Sequence, residues 1–130
     1  MTFRHPQEAD KLEIAEWIAA DEEHSAKGMT PDFFFQPGSL SLAIGEPVGL
    51  YVRVDPEPPQ SVRLHIQFGR NESRSGKTLL RAWPEFKQRI VEAGVRRMVF
   101  ESASPRLIGF CKRCFGFQHR EENDYELMLV

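Results

Sequence analysis

VRLHIQFGRNESRSGKTLL, residues 62–80, decides the fold because it joins a strand, a glycine-containing loop and the start of a helix. Apolar and polar side chains alternate in its first seven residues, which is typical of a strand with one buried face. The apolar face carries Val62, Leu64, Ile66 and Phe68, and the other face carries Arg63, His65 and Gln67. We therefore predict a strand at 62–68 that directs His65 and Gln67 to the same side, followed by a polar loop at 69–76.

A helix and a second strand follow this loop. Apolar residues recur at helical spacing over 77–93, and Gly94 is a C-terminal stop signal. Pro84 predicts a bend near Arg81 or a later helix start. With a strand predicted at 95–101, the whole is a β-α-β unit, whose helix directs free N–H groups at the loop. Anions are the natural ligands of such a loop.

The other elements extend outward from this unit and belong to one domain, residues 1–130. They are a strand at 1–5, helices at 6–20 and 30–35, strands at 39–44 and 48–54, a helix at 105–114, and strands at 117–120 and 125–130. Turn residues at 45–47 and 55–59 separate three successive strands, which predicts an antiparallel meander. The aromatic run Phe33–Phe35 is predicted either to line a pocket or to pack in the core.

Composition limits the classes of partner. The chain has 130 residues, is 41% hydrophobic and carries a net charge of −2. Residues 70–120 hold twelve basic and four acidic side chains, a local charge of +8. This pattern indicates a local cationic site for a phosphate-bearing ligand rather than a nucleic-acid-binding surface. No apolar run approaches the roughly 20 residues that a membrane span needs, so no membrane partner is expected.

The N-terminal residues and the cysteines favour a cytoplasmic location. Glu8, Asp10 and Glu13 interrupt the apolar stretch that a secretion signal would need. Cys111 and Cys114 lie close together on a predicted helix, so they cannot form a framework of several disulfides. A zinc site would need ligands beyond these two and His119, and no other residues have matching spacing. We predict buried, inert thiols and no metal.

Three motifs together resemble the GNAT superfamily of acyl-CoA N-acyltransferases. Phe3–Asp10 is similar to the first strand and turn of that family, 45–54 to its second hairpin, and 104–117 to the helix that ends in Gly-Phe. The resemblance implies an α+β fold with α/β/α layers, a mixed sheet of about six or seven strands and about four helices. It also implies a V-shaped opening between strands 62–68 and 95–101, with acetyl-CoA held along the first strand.

The cofactor loop departs from the family pattern. The family pattern is Gln or Arg, then any two residues, Gly, any one residue, and Gly or Ala. In this chain Asn71 stands at the position of the Gln or Arg, and Arg74 stands at the position of the first Gly. Only the last position, Gly76, agrees with the pattern. Arg74 either crowds the pyrophosphate or binds it together with Arg70 and Lys77. The cofactor-binding residues implied by the resemblance are Ile66, Phe68, Arg70, Arg74, Ser75, Gly76, Lys77 and Thr78. The ending Gly76-Lys77-Thr78 also occurs in nucleotide-hydrolase phosphate loops, but Asn71 occupies the position where that motif requires Gly.

Two side chains are predicted to take the proton of an attacking amine. His65 has a suitable pKa range and lies on the strand that would line the cofactor; the alternative is a packed, hydrogen-bonded histidine. Glu101 ends the next strand, where ligands of α/β proteins gather; its alternative is a salt bridge with Arg97 or Arg106. In the family, a Tyr on the helix that ends in Gly-Phe acts as the general acid that protonates the leaving thiolate. This chain has Lys112 at that position, so either Cys111 or water must protonate the thiolate.

Two functions follow from the resemblance. The first is an acetyl-CoA-dependent N-acetyltransferase that acts on a primary amine of a small molecule or a protein. The second is a GNAT-shaped binding or structural protein without catalysis, similar to small proteins encoded by tailed bacteriophages. Asn71, Arg74 and the absent Tyr favour the second, and the motif order favours the first. The oligomeric state is left open, with a homodimer as one option.

Overall fold

The computed structural model describes residues 1–129 and forms one mixed seven-stranded sheet with helices on both faces. The strands are β1 (Phe3–Arg4), β2 (Leu40–Ile44), β3 (Leu50–Glu57), β4 (Ser61–Phe68), β5 (Arg97–Glu101), β6 (Gln118–Glu121) and β7 (Asp124–Met128). Their order across the sheet is β1-β2-β3-β4-β5-β7-β6, and β4 and β5 are its parallel pair. The predicted layered α+β fold is confirmed.

Four α-helices and two 3-10 turns complete the chain as far as it is described. They are a 3-10 turn at Glu8–Asp10, α1 (Lys11–Ala20), α2 (Glu22–Ala26), a 3-10 turn at Pro31–Phe35, α3 (Glu72–Glu92) and α4 (Pro105–Phe115). The sequence did not predict α2, which begins after the Asp21 cap and is too short for an apolar period. None of these helices has the length and apolar character needed to cross a membrane.

The central hairpin is longer than the sequence predicted. Residues 55–57, expected in a turn, continue β3 and pair with Ser61–Arg63 of β4. Asp55 is held there by its hydrogen bonds with Arg53 and Ser39. These local bonds supply partners for a residue type that strands usually disfavour.

Helix α3 starts five residues before the predicted start at Lys77. The Asn71 side chain caps it by accepting a hydrogen bond from the backbone N–H of Arg74. The prediction of a loop over residues 72–76 was therefore wrong, because polar residues that cover the first turn of a helix look like a loop in the sequence. The helix continues through Pro84 to Glu92.

The first helix, predicted from residue 6, begins as α1 only at Lys11, after the 3-10 turn Glu8–Asp10, and the helix predicted at 30–35 is the 3-10 turn Pro31–Phe35. The other boundaries differ from the prediction by one or two residues. Strand β5 begins at Arg97 rather than at 95, and β6 begins at Gln118. Helix α4 begins after the Ser104 cap and ends at Gly116, whose φ of 84° suits a residue without a side chain. The predicted last strand reaches Val130, which lies outside the described residues.

Two apolar clusters hold the layers together. The larger cluster packs α3 and α4 against one face of the sheet, and its buried members include Leu64, Ile66, Leu79, Phe86 and Phe115. The smaller cluster packs α1 and the second 3-10 turn against the other face, with Ile14, Ile18, Phe34, Ala43 and Tyr51. Alternation along β3 and β4 supplies side chains to both faces.

Candidate active site

The two central parallel strands separate before they end. β4 pairs with β5 only from Ser61 to Leu64, opposite Arg97 to Phe100. The last four residues of β4, 65–68, have no β5 partner in the part of the chain that is described. The predicted V-shaped opening is therefore present, and we call it the wedge. Ligands of α/β sheets bind at carboxyl ends of strands that part in this way.

Helix α2 bridges the wedge through polar side chains. On the β4 side, His24 Nδ1 lies 2.7 Å from Oε1 of Gln67. On the β5 side, Lys27 pairs with Glu101 at 3.1 Å, and Glu23 accepts hydrogen bonds from Ser102 Oγ, at 3.2 Å, and from the backbone N–H of Ala103. The wedge is therefore spanned by side chains where its backbone pairing stops.

A cavity of about 1090 Å³ at the wedge is lined by α3 and α4 and also by residues of α1 and α2. Five of the eight predicted cofactor residues line it, namely Ile66, Phe68, Arg70, Gly76 and Lys77. Arg106, Phe110 and Arg113 of α4 form its opposite wall. We call it the large cavity, and it combines apolar strand residues with cations at the helix ends.

The other three predicted cofactor residues do not line the large cavity. The buried Ser75 hydroxyl accepts from the Gly69 N–H at 2.8 Å and donates to the Gly49 carbonyl at 2.7 Å. Thr78 donates to the Arg74 carbonyl at 3.1 Å and lies against Gly49. Ser75 and Thr78 thus fix the start of α3 to the sheet, and Arg74 is exposed outside the cavity.

The N-terminus of α3 is partly satisfied by the chain itself. Asn71 accepts hydrogen bonds from Arg74 N–H, through Oδ1, and from Ser75 N–H, through its carbonyl, both at 3.1 Å. Of the orphan amides that begin a helix, those of Glu72 and Ser73 remain for a ligand. The Glu72 carboxylate pairs with Arg106 at 2.6 Å across the mouth of the large cavity. A bound anion would compete with Glu72 for Arg106.

A second cavity, of about 640 Å³, lies at the wedge between α2, the second 3-10 turn and the strands β4 and β5. We call it the small cavity, and its lining includes Phe33, His65, Phe100 and Asp124. Of the aromatic run, Phe33 lines this cavity and Phe34 is buried in the core. Both alternatives predicted for the run therefore occur, at different residues.

His65 is held from two sides in the small cavity. Its Nε2 lies 3.1 Å from Oδ2 of Asp55, and its ring meets the Phe33 ring edge-on at 5.0 Å between centroids. Burial lowers the pKa of His65, and the nearby Asp55 opposes that shift. The lowered pKa favours the neutral ring, and Asp55 orients it.

Glu101 lines both cavities at the end of β5. Its salt-bridge partner is Lys27 of the α2 bridge, so the predicted pairing with Arg97 or Arg106 was wrong. Arg97 instead contacts Ser61 and Glu126, and Arg106 contacts Glu72. The sequence could not indicate Lys27, because it lies 74 positions away in a segment with no predicted element.

The two cysteines lie away from both cavities. Cys111 is buried in the core, and burial raises the pKa of its thiol to about 12. Cys111 therefore cannot protonate a thiolate in either cavity. Of the two proton donors predicted from the sequence, Cys111 and water, only water remains. The prediction of buried thiols holds for Cys111 and was wrong for Cys114, which is exposed. Residues 1–129 contain no group of His, Cys, Asp or Glu able to hold a metal ion.

An ion pair in the lining of the small cavity, between Arg63 and Asp124, gives the fold a pH-dependent stability. Arg63 donates to both oxygens of Asp124, at 2.9 and 3.0 Å, across the intervening β5. These bonds hold the pKa of Asp124 below its usual value. The stabilisation is therefore fully present above the unfolded-state pKa, near 3.9, and is lost as the pH falls through the folded-state pKa.

Asp124→Asn is expected to lower the free energy of unfolding by about 1–2 kcal/mol at pH 7, and the difference from the original chain should shrink below about pH 4. Urea denaturation at several pH values measures it. Glu121→Gln, on the exposed neighbouring strand, is the control and should change little. A difference that stays constant down to about pH 2 would contradict a role for the Asp124 charge.

Comparison with known proteins agrees with this architecture. No family model matches the chain, and no curated protein sequence matches it. An acetyltransferase of the GNAT family from Staphylococcus aureus Mu50 is 11% identical, with 99% of each chain covered and a TM-score of 0.73. Tetrahymena GCN5 is 15% identical, covering 100% of this chain and 97% of that chain, with a TM-score of 0.68. An aminoglycoside 6'-N-acetyltransferase complexed with coenzyme A is 7% identical, covering 100% and 98%, with a TM-score of 0.75. The chain described here therefore has the fold of the GNAT acetyltransferases.

Proposed function

We propose that this chain is an acetyl-CoA-dependent N-acyltransferase that acetylates a primary amine. One observation carries the proposal. The large and small cavities meet at the wedge, where they share six lining residues, which are Glu23, His24, Lys27, Ile66, Glu101 and Leu107. Two ligands, one in each cavity, would meet at these residues, as a transfer between two substrates requires.

The residues of the large cavity fit acetyl-CoA. Ile66 and Phe68 offer an apolar wall along a stretch of β4 that has no β5 partner. Arg70 and Lys77 lie at the end of that strand and in the first turns of α3, where cations would hold a pyrophosphate. Bound there, acetyl-CoA would supply a thioester carbonyl, which an amine attacks directly.

The small cavity is assigned to the amine. Phe33 and Phe100 supply apolar surface, and Glu101 supplies a carboxylate next to the wedge. His65 and Glu101, the two residues predicted from the sequence, both line this cavity and are candidates to accept the amine proton. No Tyr or Cys lies among the described residues that line the large cavity, so water is proposed to protonate the thiolate.

A non-catalytic binding role is the second candidate, and a specific observation favours it. The Asn71 side chain occupies one of the free amides at the start of α3, that of Arg74, and Glu72 holds Arg106 at the mouth of the large cavity. Both features leave fewer backbone N–H groups and cationic side chains to bind a pyrophosphate. A protein that uses the fold only to bind a partner would tolerate them, whereas a transferase must displace Glu72 from Arg106.

Titration calorimetry of acetyl-CoA and free CoA, with thiol release in the presence of primary amines, separates the two candidates. A transferase should bind acetyl-CoA with a dissociation constant on the order of micromolar and release thiol only when an amine is added. Spermidine, tyramine and Nα-acetyl-lysine methyl ester are suitable amines of different shape. No detectable heat at millimolar acetyl-CoA would contradict the proposal and favour the non-catalytic role.

A further inference from the structure

His24 occupies a position that no other histidine of the described chain shares. It lines both cavities, whereas His65 lines only the small one and His5 and His119 line neither. Its side chain is 13% exposed and lies on the α2 bridge above the wedge. A group at this point faces the place where two substrates would meet.

The buried Gln67 determines which ring nitrogen of His24 carries the proton. Gln67 is fully buried, and its Nε2 lies near the carbonyls of Phe68 and Trp17, at 2.8 and 3.3 Å, and near Oδ2 of Asp21, at 3.4 Å. Three acceptors around Nε2 fix the amide orientation, because a flipped amide would place its oxygen against them. Gln67 therefore directs Oε1, an acceptor, at Nδ1 of His24.

With an acceptor at 2.7 Å, Nδ1 of His24 must donate a hydrogen bond, and Oδ2 of Asp21 at 3.3 Å is a second acceptor on the same side. In a neutral imidazole the other nitrogen, Nε2, then carries the lone pair. This Nε2 makes no hydrogen bond within residues 1–129. Because no buried side-chain nitrogen or oxygen there lacks a partner, Nε2 is open to the cavities.

We infer that His24 is the group that accepts the proton of the attacking amine, with Gln67 as the positioning residue that fixes its tautomer. This inference deepens the proposed function and rests on it. The amine nitrogen forms a bond to the thioester carbonyl carbon, and its proton passes to Nε2 of His24. The carbon–sulfur bond then breaks, the thiolate leaves with the electron pair, and water protonates it.

His24 fits this task better than the two residues predicted from the sequence. His65 has its Nε2 against Asp55 and does not reach the large cavity. Glu101 holds the Lys27 ammonium. Among the histidines of residues 1–129, His24 alone lines both cavities, and its Nε2 lone pair has no partner there.

The charged groups around His24 come from the α2 segment and from β5. Asp21 caps α2 and touches the ring, Glu23 lies on α2, Lys27 directly follows it, and Glu101 lines the same cavities from the end of β5. Gln67 is the uncharged neighbour on β4.

The tautomer is tested without any substrate. The imidazole ¹⁵N shifts of His24, assigned by their loss in His24→Gln, should show Nδ1 protonated and Nε2 unprotonated in the neutral ring. A neutral ring protonated at Nε2 would overturn the inference.

The proton transfer is tested with the amine that the original chain acetylates fastest among spermidine, tyramine and Nα-acetyl-lysine methyl ester. His24→Gln should lower kcat by about 10²- to 10⁴-fold and remove the rise of the rate with pH that a neutral imidazole produces. Acetyl-CoA affinity should change by less than about threefold, and imidazole in the buffer should partly restore the rate of His24→Ala. His119→Gln, on exposed β6, is the control with an unchanged rate.

The outcomes separate this inference from the proposed function. A normal rate in His24→Gln, or a larger loss in His65→Gln than in His24→Gln, would overturn the inference and leave the transferase intact. If the original chain transfers acetyl groups to no amine, the proposed function fails, and the proton transfer assigned to His24 fails with it.

Discussion

Gly76→Glu is expected to abolish acetyl-CoA binding while the chain remains folded. A Cβ at position 76 would lie 3.6 Å from the Phe110 ring, in the gap between α3 and α4 that forms the large cavity. A glutamate there would fill the gap and place a negative charge where a pyrophosphate is proposed to bind. We expect at least about a 100-fold loss of affinity, or roughly 3 kcal/mol, by calorimetry.

Gly76→Ala is the matched control. Its methyl group makes ordinary contact with Phe110. The alanine removes the entropic cost of glycine inside a helix, so the free energy of unfolding should rise by about 0.5–1 kcal/mol. Acetyl-CoA affinity should stay within about threefold. Full affinity in Gly76→Glu, with both variants folded by circular dichroism, would remove the cofactor from the large cavity.

Gly49→Ala should destabilise the fold by about 3 kcal/mol, near the upper end for an added methyl group in a packed interior. An added Cβ would lie 2.7 Å from Cβ and 2.8 Å from Cγ2 of Thr78 on α3. Thr78 cannot rotate away, because its Cβ is fixed by the helix backbone. A shift of Gly49 would also strain its carbonyl bond to the buried Ser75 hydroxyl.

The double variant Gly49→Ala/Thr78→Gly tests the cause. Removing the Thr78 side chain should restore most of the lost stability, giving a coupling energy of more than about 1 kcal/mol in a denaturation cycle. Thr78→Gly alone should cost only about 0.5 kcal/mol through helix propensity. Additive effects of the two changes would show that the contact with Thr78 is not the source.

Periodicity in the sequence predicted the long elements of this fold well. The alternation in 62–68 and the helical spacing after Leu79 mark residues that pack in the larger apolar cluster. The predictions from the sequence were wrong where a first helical turn or a short helix consists of polar residues. Asn71 to Arg74 form a capped first turn, and α2 is a five-residue helix with no buried member.

The candidate site was predicted less completely, because its side chains are far apart in the sequence and come together only in the folded chain. The fit of Ile66, Phe68, Arg70, Gly76 and Lys77 to the large cavity followed from the resemblance. The Asp55 partner of His65 could not be predicted, because Asp55 was expected in a turn and instead extends β3. His24 could not be predicted either, since only the fold brings it to a residue 43 positions away.

The bridge formed by α2 has a mechanical consequence. The parallel ladder between β4 and β5 joins the two halves of the sheet over only four residue pairs. Beyond the ladder, the two strands are connected through α2 by side-chain hydrogen bonds and an ion pair rather than by backbone pairing. We therefore expect a ligand in one cavity that displaces the α2 contacts to change the free energy of binding in the other cavity, and such a coupling is reciprocal.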